Sequence, residues 1–269
     1  MSSENATNAQ AQESFILKEI RERVGIITLN HAAHRNALSK PLIDSVLETL
    51  GEFKTQQVRA VILRAADGMK VWSAGHDIKE LEMHRDPLGY DDPLERLLRA
   101  VEQYPGPVLA MVSGAVWGGA FDLVLTCDVV VADESSTFAI TPVKLGLPYN
   151  TAGLLHFINR LGLNIAKEMF FTAEPIAAPR AERIGILNHL VATDELFDFS
   201  FELAMRMTAH SSLAVQVTKE QLRLLSGAHP LSPDMFERIQ GLRRSIYDSA
   251  DYQEGIRAFI EKRKPQFSK

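Results

Sequence analysis

The sequence predicts an α/β core followed by a helical C-terminal region. Three observations carry that prediction. Short aliphatic or β-branched runs at Val24–Leu29, Val58–Leu63 and Val108–Val112 are bounded by turn residues or charges, as buried strands are. Segments of helical periodicity lie between them. Beyond about Thr151 the alternation stops and the chain reads as successive amphipathic helices.

The elements follow in order. Residues 1–14, MSSENATNAQAQES, are polar and lack both the basic start and the apolar run of a signal peptide. They are expected to form a disordered tail on a non-exported, cytoplasmic protein. From Phe15 the pattern becomes structured. Ser39 is placed to cap a helix that starts near Pro41 and carries Leu42, Val46, Leu47 and Leu50 on one face. The strand Val108–Val112 runs through Ser-Gly into a helix from Gly118 to Thr126. Asp128–Ala132 returns to strand, and Thr137–Ile140 is expected to pair nearby. Helices are predicted at Asp194–Ala209, Leu213–Leu225, Pro233–Tyr247 and Asp251–Lys262. The expected organisation is a tail over 1–14, an α/β core over 15–195 and a helical region over 196–269.

Composition excludes several classes of function. The 269 residues are 46% hydrophobic and 23% charged, which suits a sizeable buried core. Acids outnumber bases by 34 to 29, so there is no electrostatic footprint for nucleic acid. The single cysteine, Cys127, rules out an internal disulfide and cysteine-based zinc or iron–sulfur sites, and fits a reducing cytosol. The longest apolar stretches, Pro107–Val112 and Leu123–Val131, are too short or too interrupted to cross a bilayer. Phosphate-loop, GxGxxG, HExxH and GxSxG signatures are absent. His31 and His34 are close in sequence but lack further ligands, so they read as a surface turn and no metal is expected.

Two segments stand out. Ser73-Ala74-Gly75-His76-Asp77-Ile78 follows a strand-like stretch, and Ser113–Asp122 joins a strand to a helix through Trp117-Gly118-Gly119-Ala120. Small residues let backbone approach a ligand closely, and a helix N-terminus presents unpaired N–H groups. Two such amide clusters facing each other can hold a developing oxyanion. Read alone, the same residues also describe two glycine-containing turns with packing roles only.

With Arg35-Asn36-Ala37-Leu38 upstream and a lysine-bearing C-terminal helix, these segments resemble the crotonase (enoyl-CoA hydratase/isomerase) superfamily from Phe15 to Phe267. The resemblance implies a spiral of ββα units, a helical trimerisation region, acyl-CoA substrates, and an oxyanion hole made by the N–H groups of His76 and Gly119. Two departures bear on the chemistry. Asp122 stands where a hydratase of this family carries its first catalytic glutamate, and Pro142 stands at the second. Proline exchanges no proton, so two-carboxylate hydration loses a partner. Asp122 itself reads equally as a dipole-stabilising helix N-terminal charge or as a direct participant.

What remains suits a reaction that generates a thioester enolate. Decarboxylation needs a donor that orients the departing carboxylate without stabilising its charge, and the Tyr149 phenol is such a donor. The stretches around His76, Trp117, Thr141-Pro142-Val143 and Leu147-Pro148-Tyr149-Asn150 resemble the superfamily's methylmalonyl-CoA-decarboxylating subgroup. So do Arg85-Asp86-Pro87-Leu88, Tyr90–Leu94, Phe236–Gly241 and Tyr247–Gly255. That resemblance implies conversion of methylmalonyl-CoA to propionyl-CoA, with His76 and Tyr149 as the active pair and His76 acting chiefly through its backbone N–H. It implies Ala74, Gly75, His76, Asp77 and Ile78 along the pantetheine and adenine path. Thr141 is implied at the acyl pocket, Lys262 at the CoA phosphates and His34 on the CoA side. No metal, biotin or redox cofactor is implied, coenzyme A entering with the substrate, and the assembly implied is a trimer or a dimer of trimers. Two alternatives stand beside it: an enoyl-CoA hydratase with Asp122 as sole acid–base group, and a non-catalytic acyl-CoA-binding protein.

Overall fold

A computed structural model describes residues 14–81, 89–226, 232–247 and 249–267. Residues 1–13 of the expected tail, the 85–88 stretch and Asp248 lie outside the described residues. The chain enters as an antiparallel hairpin of β1 (Ile16–Arg21) and β2 (Val24–Leu29), and then forms α1 (Lys40–Thr55). Three similar turns follow, each a long strand, a short strand and a helix. The first is β3 (Ala60–Ala65), β4 (Val71–Ser73) and α2 (Pro93–Glu102). The second is β5 (Val108–Val112), β6 (Ala115–Trp117) and α3 (Gly119–Thr126). The third is β7 (Val129–Asp133), β8 (Thr137–Ala139) and α4 (Thr151–Leu161). The chain continues through α5 (Leu163–Thr172), β9 (Ile176–Ala177), α6 (Ala178–Arg183), β10 (His189–Val191) and α7 (Leu196–Thr208). It closes with α8 (Ser212–Ser226), α9 (Pro233–Tyr247) and α10 (Ala250–Ile260).

This is a spiral of ββα units. Long strands stack into one sheet in the order β1-β2-β3-β5-β7-β10, and short strands into a second in the order β4-β6-β8-β9. From β2 onward the large sheet is parallel. Its central strands, β3 and β5, are buried along their whole length because both faces are covered. Ala60 and Ile62 of β3, with Leu109 and Met111 of β5, pack beneath Leu196 and Ala204 of α7. The alternate residues Val61, Leu63 and Val108 join the main core with α1, α2 and α3.

Several elements differ from the sequence-based expectation. The second strand begins at Ala60 rather than Val58, whose N–H instead bonds to the Phe53 carbonyl in the turn out of α1. Ser39 occupies the cap position of α1, but its hydroxyl makes no cap bond; the Glu80 carboxylate accepts the Lys40 N–H instead, at 2.9 Å. The stretch read as helical beyond Thr151 contains β9 and β10. Three residues are too few to show a period, and β10 is fixed from outside. The Asn188 side chain accepts the Val130 N–H at 2.8 Å and so starts the parallel pairing with β7.

The C-terminal helices also return to the core. α10 packs on a 3-10 turn at Pro142–Leu145, so closely that a Cβ at Gly255 would lie 2.2 Å from the Leu145 carbonyl oxygen. Fully buried Tyr252 packs there with Leu147 and Tyr247. The loop that leads to Tyr149 is therefore held from behind by the last helix.

Truncation of Ile62 tests the doubly covered sheet. Ile62→Ala is expected to cost about 2–5 kcal/mol of unfolding free energy, since the site between β5 and α7 has little room to collapse. A urea titration should show a lower midpoint with an unchanged slope.

Candidate active site

The two amide-bearing turns meet. Gly75 has φ +83°, and a Cβ there would stand 2.3 Å from the Trp117 carbonyl oxygen and 3.0 Å from the Gly119 nitrogen. Only glycine combines that backbone angle with that approach. Gly118, at φ 55° and ψ −127°, turns the chain out of β6 into α3, making Gly119 the first helical residue. A Cβ at Gly119 would lie 3.6 Å from the His76 nitrogen. The His76 and Gly119 amides thus sit side by side, and among the described residues neither N–H is matched to an acceptor. The unpaired N–H of Gly119 also carries the positive end of the α3 dipole. The Thr141 hydroxyl borders the same corner, 3.6 Å from where a Gly118 Cβ would be.

The stretch Arg35-Asn36-Ala37-Leu38 straps the first turn. Leu38 N–H donates to the Gly75 carbonyl at 2.7 Å and Ala74 N–H to the Arg35 carbonyl at 2.9 Å. Asn36, itself fully buried, donates from Nδ2 to the Trp72 carbonyl at 2.9 Å and accepts Ser73 Oγ at its own carbonyl at 2.6 Å. Ala74 to Ile78 is buried or half-buried along this strap.

The His76 imidazole faces two acceptors. Its Nε2 lies 3.3 Å from Asp92 Oδ2, and its Nδ1 lies 3.1 Å from the Asp77 carbonyl oxygen. Burial alone would lower its pKa, but the Asp92 carboxylate outweighs that and the net displacement is upward. With acceptors at both nitrogens the ring is suited to carry two protons and a positive charge. Asp92 is fixed by its second task, capping α2 through Leu94 N–H at 2.8 Å.

A buried polar cluster adjoins the turns. Asp122, one turn into α3 and 1% exposed, accepts the Tyr149 hydroxyl at Oδ2 and faces His156 Nδ1 at Oδ1, each at 2.7 Å. Burial raises the Tyr149 pKa well above its usual value, and the charge of Asp122 raises it further, so the phenol stays protonated. His156 has its pKa raised too, the Asp122 carboxylate prevailing over burial. Asn150 caps α4 by accepting Gly153 N–H at 2.6 Å, and its Nδ2 donates to the buried Glu95 carboxylate of α2. Burial, with Asp122 near, pushes the Glu95 pKa up to about 7.

Of the residues singled out from sequence, Gly75, His76, Gly119 and Thr141 meet at the turns. Tyr149 is joined to them through Asp122. Asp122 therefore has a direct structural task beyond easing the helix dipole. Lys262 and His34 are exposed, and no hydrogen bond or ion pair joins either side chain to this cluster among the described residues. His31 and His34 stack at 4.5 Å in a 3-10 turn, and no group of metal-ligating residues occurs among the described residues. Sequence reasoning missed Glu95, Asp92, Asn150 and His156. An acid beside the apolar stripe of α2, and an Asn-x-x-Gly cap before α4, were the available signals; His156 gave none.

This geometry can be compared with known proteins. The family model described as enoyl-CoA hydratase/isomerase matches residues 19–269. The chain belongs to the enoyl-CoA hydratase/isomerase family. The spiral of ββα units is thus the crotonase fold. Within the family the chain is 49% identical over 246 residues to methylmalonyl-CoA decarboxylase of Escherichia coli K12, covering 91% of this chain and 94% of that one. It superposes with TM-score 0.93 and 47% identity on a methylmalonyl-CoA decarboxylase solved in complex with 2-nitronate-propionyl-CoA. The same values hold for one complexed with 2S-carboxypropyl CoA, and both matches cover 94% of this chain and 98% of the other.

The Glu95 pKa makes a stability prediction. A carboxyl held near 7 in the folded chain and near its ordinary 4.5 unfolded keeps its proton in the native state between those values. Its contribution is therefore full below pH 4.5 and lost as pH rises to 7, a change on the order of 3 kcal/mol. Glu95→Gln should show less decline in thermal midpoint between pH 5 and pH 8 than the parent chain. Parallel declines would contradict the account.

Proposed function

We propose that this chain decarboxylates methylmalonyl-CoA to propionyl-CoA and carbon dioxide. The observation that carries the reading is the protonated Tyr149 hydroxyl, buried on Asp122 of the helix at whose N-terminus the paired His76 and Gly119 amides lie. The 49% identity to a methylmalonyl-CoA decarboxylase over nearly the whole chain supports it.

The chemistry follows from the parts. The thioester oxygen is received by the His76 and Gly119 N–H groups, and the substrate carboxylate by the Tyr149 O–H. A carboxylate held out of the thioester plane aligns its C–C bond with the carbonyl π system. As that bond breaks, its electron pair becomes the enolate and charge moves to the thioester oxygen, where the amides hold it. The enolate carbon then takes up a proton from solvent, which completes propionyl-CoA. A neutral donor suits the carboxylate end because a cation there would favour the ground state over the transition state. The His76 backbone N–H serves the other end, where negative charge accumulates.

Coenzyme A enters as part of the substrate, and the scheme calls for no metal, biotin or redox group. Ala74 to Ile78 offer backbone to the pantetheine arm, Thr141 borders the acyl group, and Lys262 and His34 are left for the nucleotide end. Self-association as a trimer or dimer of trimers is supported by exposed apolar residues on the last three helices, among them Leu224, Leu225, Phe236 and Ile260. The cytoplasm is the proposed compartment. The buried free thiol of Cys127 is compatible with it, and no described helix is long and apolar enough to cross a membrane.

Purified protein given methylmalonyl-CoA should yield propionyl-CoA and carbon dioxide without added cofactor, while hydration of crotonyl-CoA stays negligible. Fast hydration without decarboxylation would sink the reading in favour of a hydratase. Tyr149→Phe should lower kcat by roughly 10²–10³, the effect of losing one well-placed donor, with little change in CoA binding. An unchanged kcat would remove Tyr149 from the reaction.

A further inference from the structure

We infer that His156, acting through Asp122, frees the Tyr149 hydroxyl for the substrate carboxylate and so sets the preference for a carboxylate-bearing acyl group. The inference rests on the decarboxylation reading and starts from a conflict within it. Tyr149 has one proton to donate, and in the structure that proton lies on Asp122 Oδ2 at 2.7 Å. The substrate carboxylate must compete for it against a carboxylate that is 1% exposed. Two anions around one hydroxyl, in a region shielded from water, repel strongly. Left alone, Asp122 would keep the hydroxyl and turn the substrate's carboxylate away.

His156 resolves the conflict from the opposite side. Its Nδ1 lies 2.7 Å from Asp122 Oδ1, the oxygen that Tyr149 does not use. Among the described residues it is the one basic side chain bonded to Asp122. A proton held there draws the carboxylate's charge toward Oδ1 and weakens Oδ2 as an acceptor, leaving the phenol able to turn its hydrogen to an incoming anion. The upward displacement of the His156 pKa by Asp122 is the other side of the same pairing.

The surroundings make this compensation necessary. Glu95 and Asp92 also act electrostatically on Tyr149, so the surroundings of the phenol are rich in acids. The geometry is rigid as well. Tyr149 packs so tightly on α4 that a Cβ at Gly153 would fall 2.1 Å from its ring, and Asn150 caps the same turn. His156 follows Gly153 by three residues on that helix, so phenol and imidazole are held at fixed positions on either side of Asp122. His156 is a positioning residue here; it reaches the substrate only through Asp122 and Tyr149.

The test compares two ligands that differ by the carboxylate: KM for methylmalonyl-CoA and the inhibition constant of propionyl-CoA. For His156→Ala the first should rise about tenfold, the scale of a coupled buried charge pair, while the second changes little. Adding Asp122→Asn removes the uncompensated charge and leaves an oxygen for the Tyr149 hydroxyl, so the double variant should regain most of the lost methylmalonyl-CoA affinity. If His156→Ala does not fold, His156→Gln, a donor without positive charge, is read by the same two constants. Equal changes for both ligands, no change in either, or a selective loss that Asp122→Asn does not repair would each overturn the inference. The parent chain separates this from the parent reading: if it releases no carbon dioxide from methylmalonyl-CoA, the decarboxylation reading itself has failed.

Discussion

The site depends on how closely Gly75 approaches the backbone at Trp117 and Gly119. A side-chain carbon at that position would collide with the Trp117 carbonyl at 2.3 Å, so the two turns can meet only if one of them has no side chain. The two turns leave β4 and β6, neighbouring parallel strands of the small sheet, and two amides from separate units of the spiral come together. The strap from Arg35 to Leu38 serves that contact. Its buried Asn36 replaces solvent for the Trp72 carbonyl and its left-handed backbone turns the chain back toward Gly75. Buried backbone groups in such a crossing must be paired. Among the described residues, the N–H groups of His76 and Gly119 are the exceptions at this contact, since neither is matched to an acceptor.

Around that contact the molecule stores several charges out of water, and their arrangement is reciprocal. Asp92, Glu95 and Asp122 each have a basic or amide partner. Asp92 caps α2 and meets His76, while Asn150 caps α4 and meets Glu95. Asp122 ties α3 to both the loop carrying Tyr149 and the helix carrying His156. Removing one partner from such a pair leaves a buried group uncompensated, which costs more than the bond itself contributes. Structural stability and the protonation of Tyr149 are for this reason coupled. The C-terminal helix takes part from behind, since α10 packs on the turn that precedes Tyr149.

Much of the fold was legible in the chain. β2 and α9 fall where periodicity and bounding residues put them, because a long, doubly buried strand or a long amphipathic helix repeats its signal often enough to be read. The short elements were not. β1 faces solvent along most of its length, and β4, β6 and β10 have three residues each. β4, β6 and β10 owe their identity to pairing with strands far away in sequence, and β1 to its hairpin with β2. Ser39 shows the same limit at a single residue. Its type and position suggest a cap, yet the carboxylate of Glu80, far along the chain, satisfies the helix end at Lys40 N–H.

Resemblance to the crotonase superfamily gave Pro142 its meaning and made His76, Gly119 and Tyr149 candidates, whereas the sequence by itself determined the α/β class and the two glycine turns. Those properties reside in residue type and local order, which short-range sterics and hydrophobic period express directly. Only the tertiary structure decided that the turns face each other, that Asp122 holds the Tyr149 proton, and that Glu95 and His156 belong to the same cluster. Hydrogen bonds between residues tens of positions apart, and the desolvation that shifts their proton affinities, exist only once packing has excluded water from the space between them.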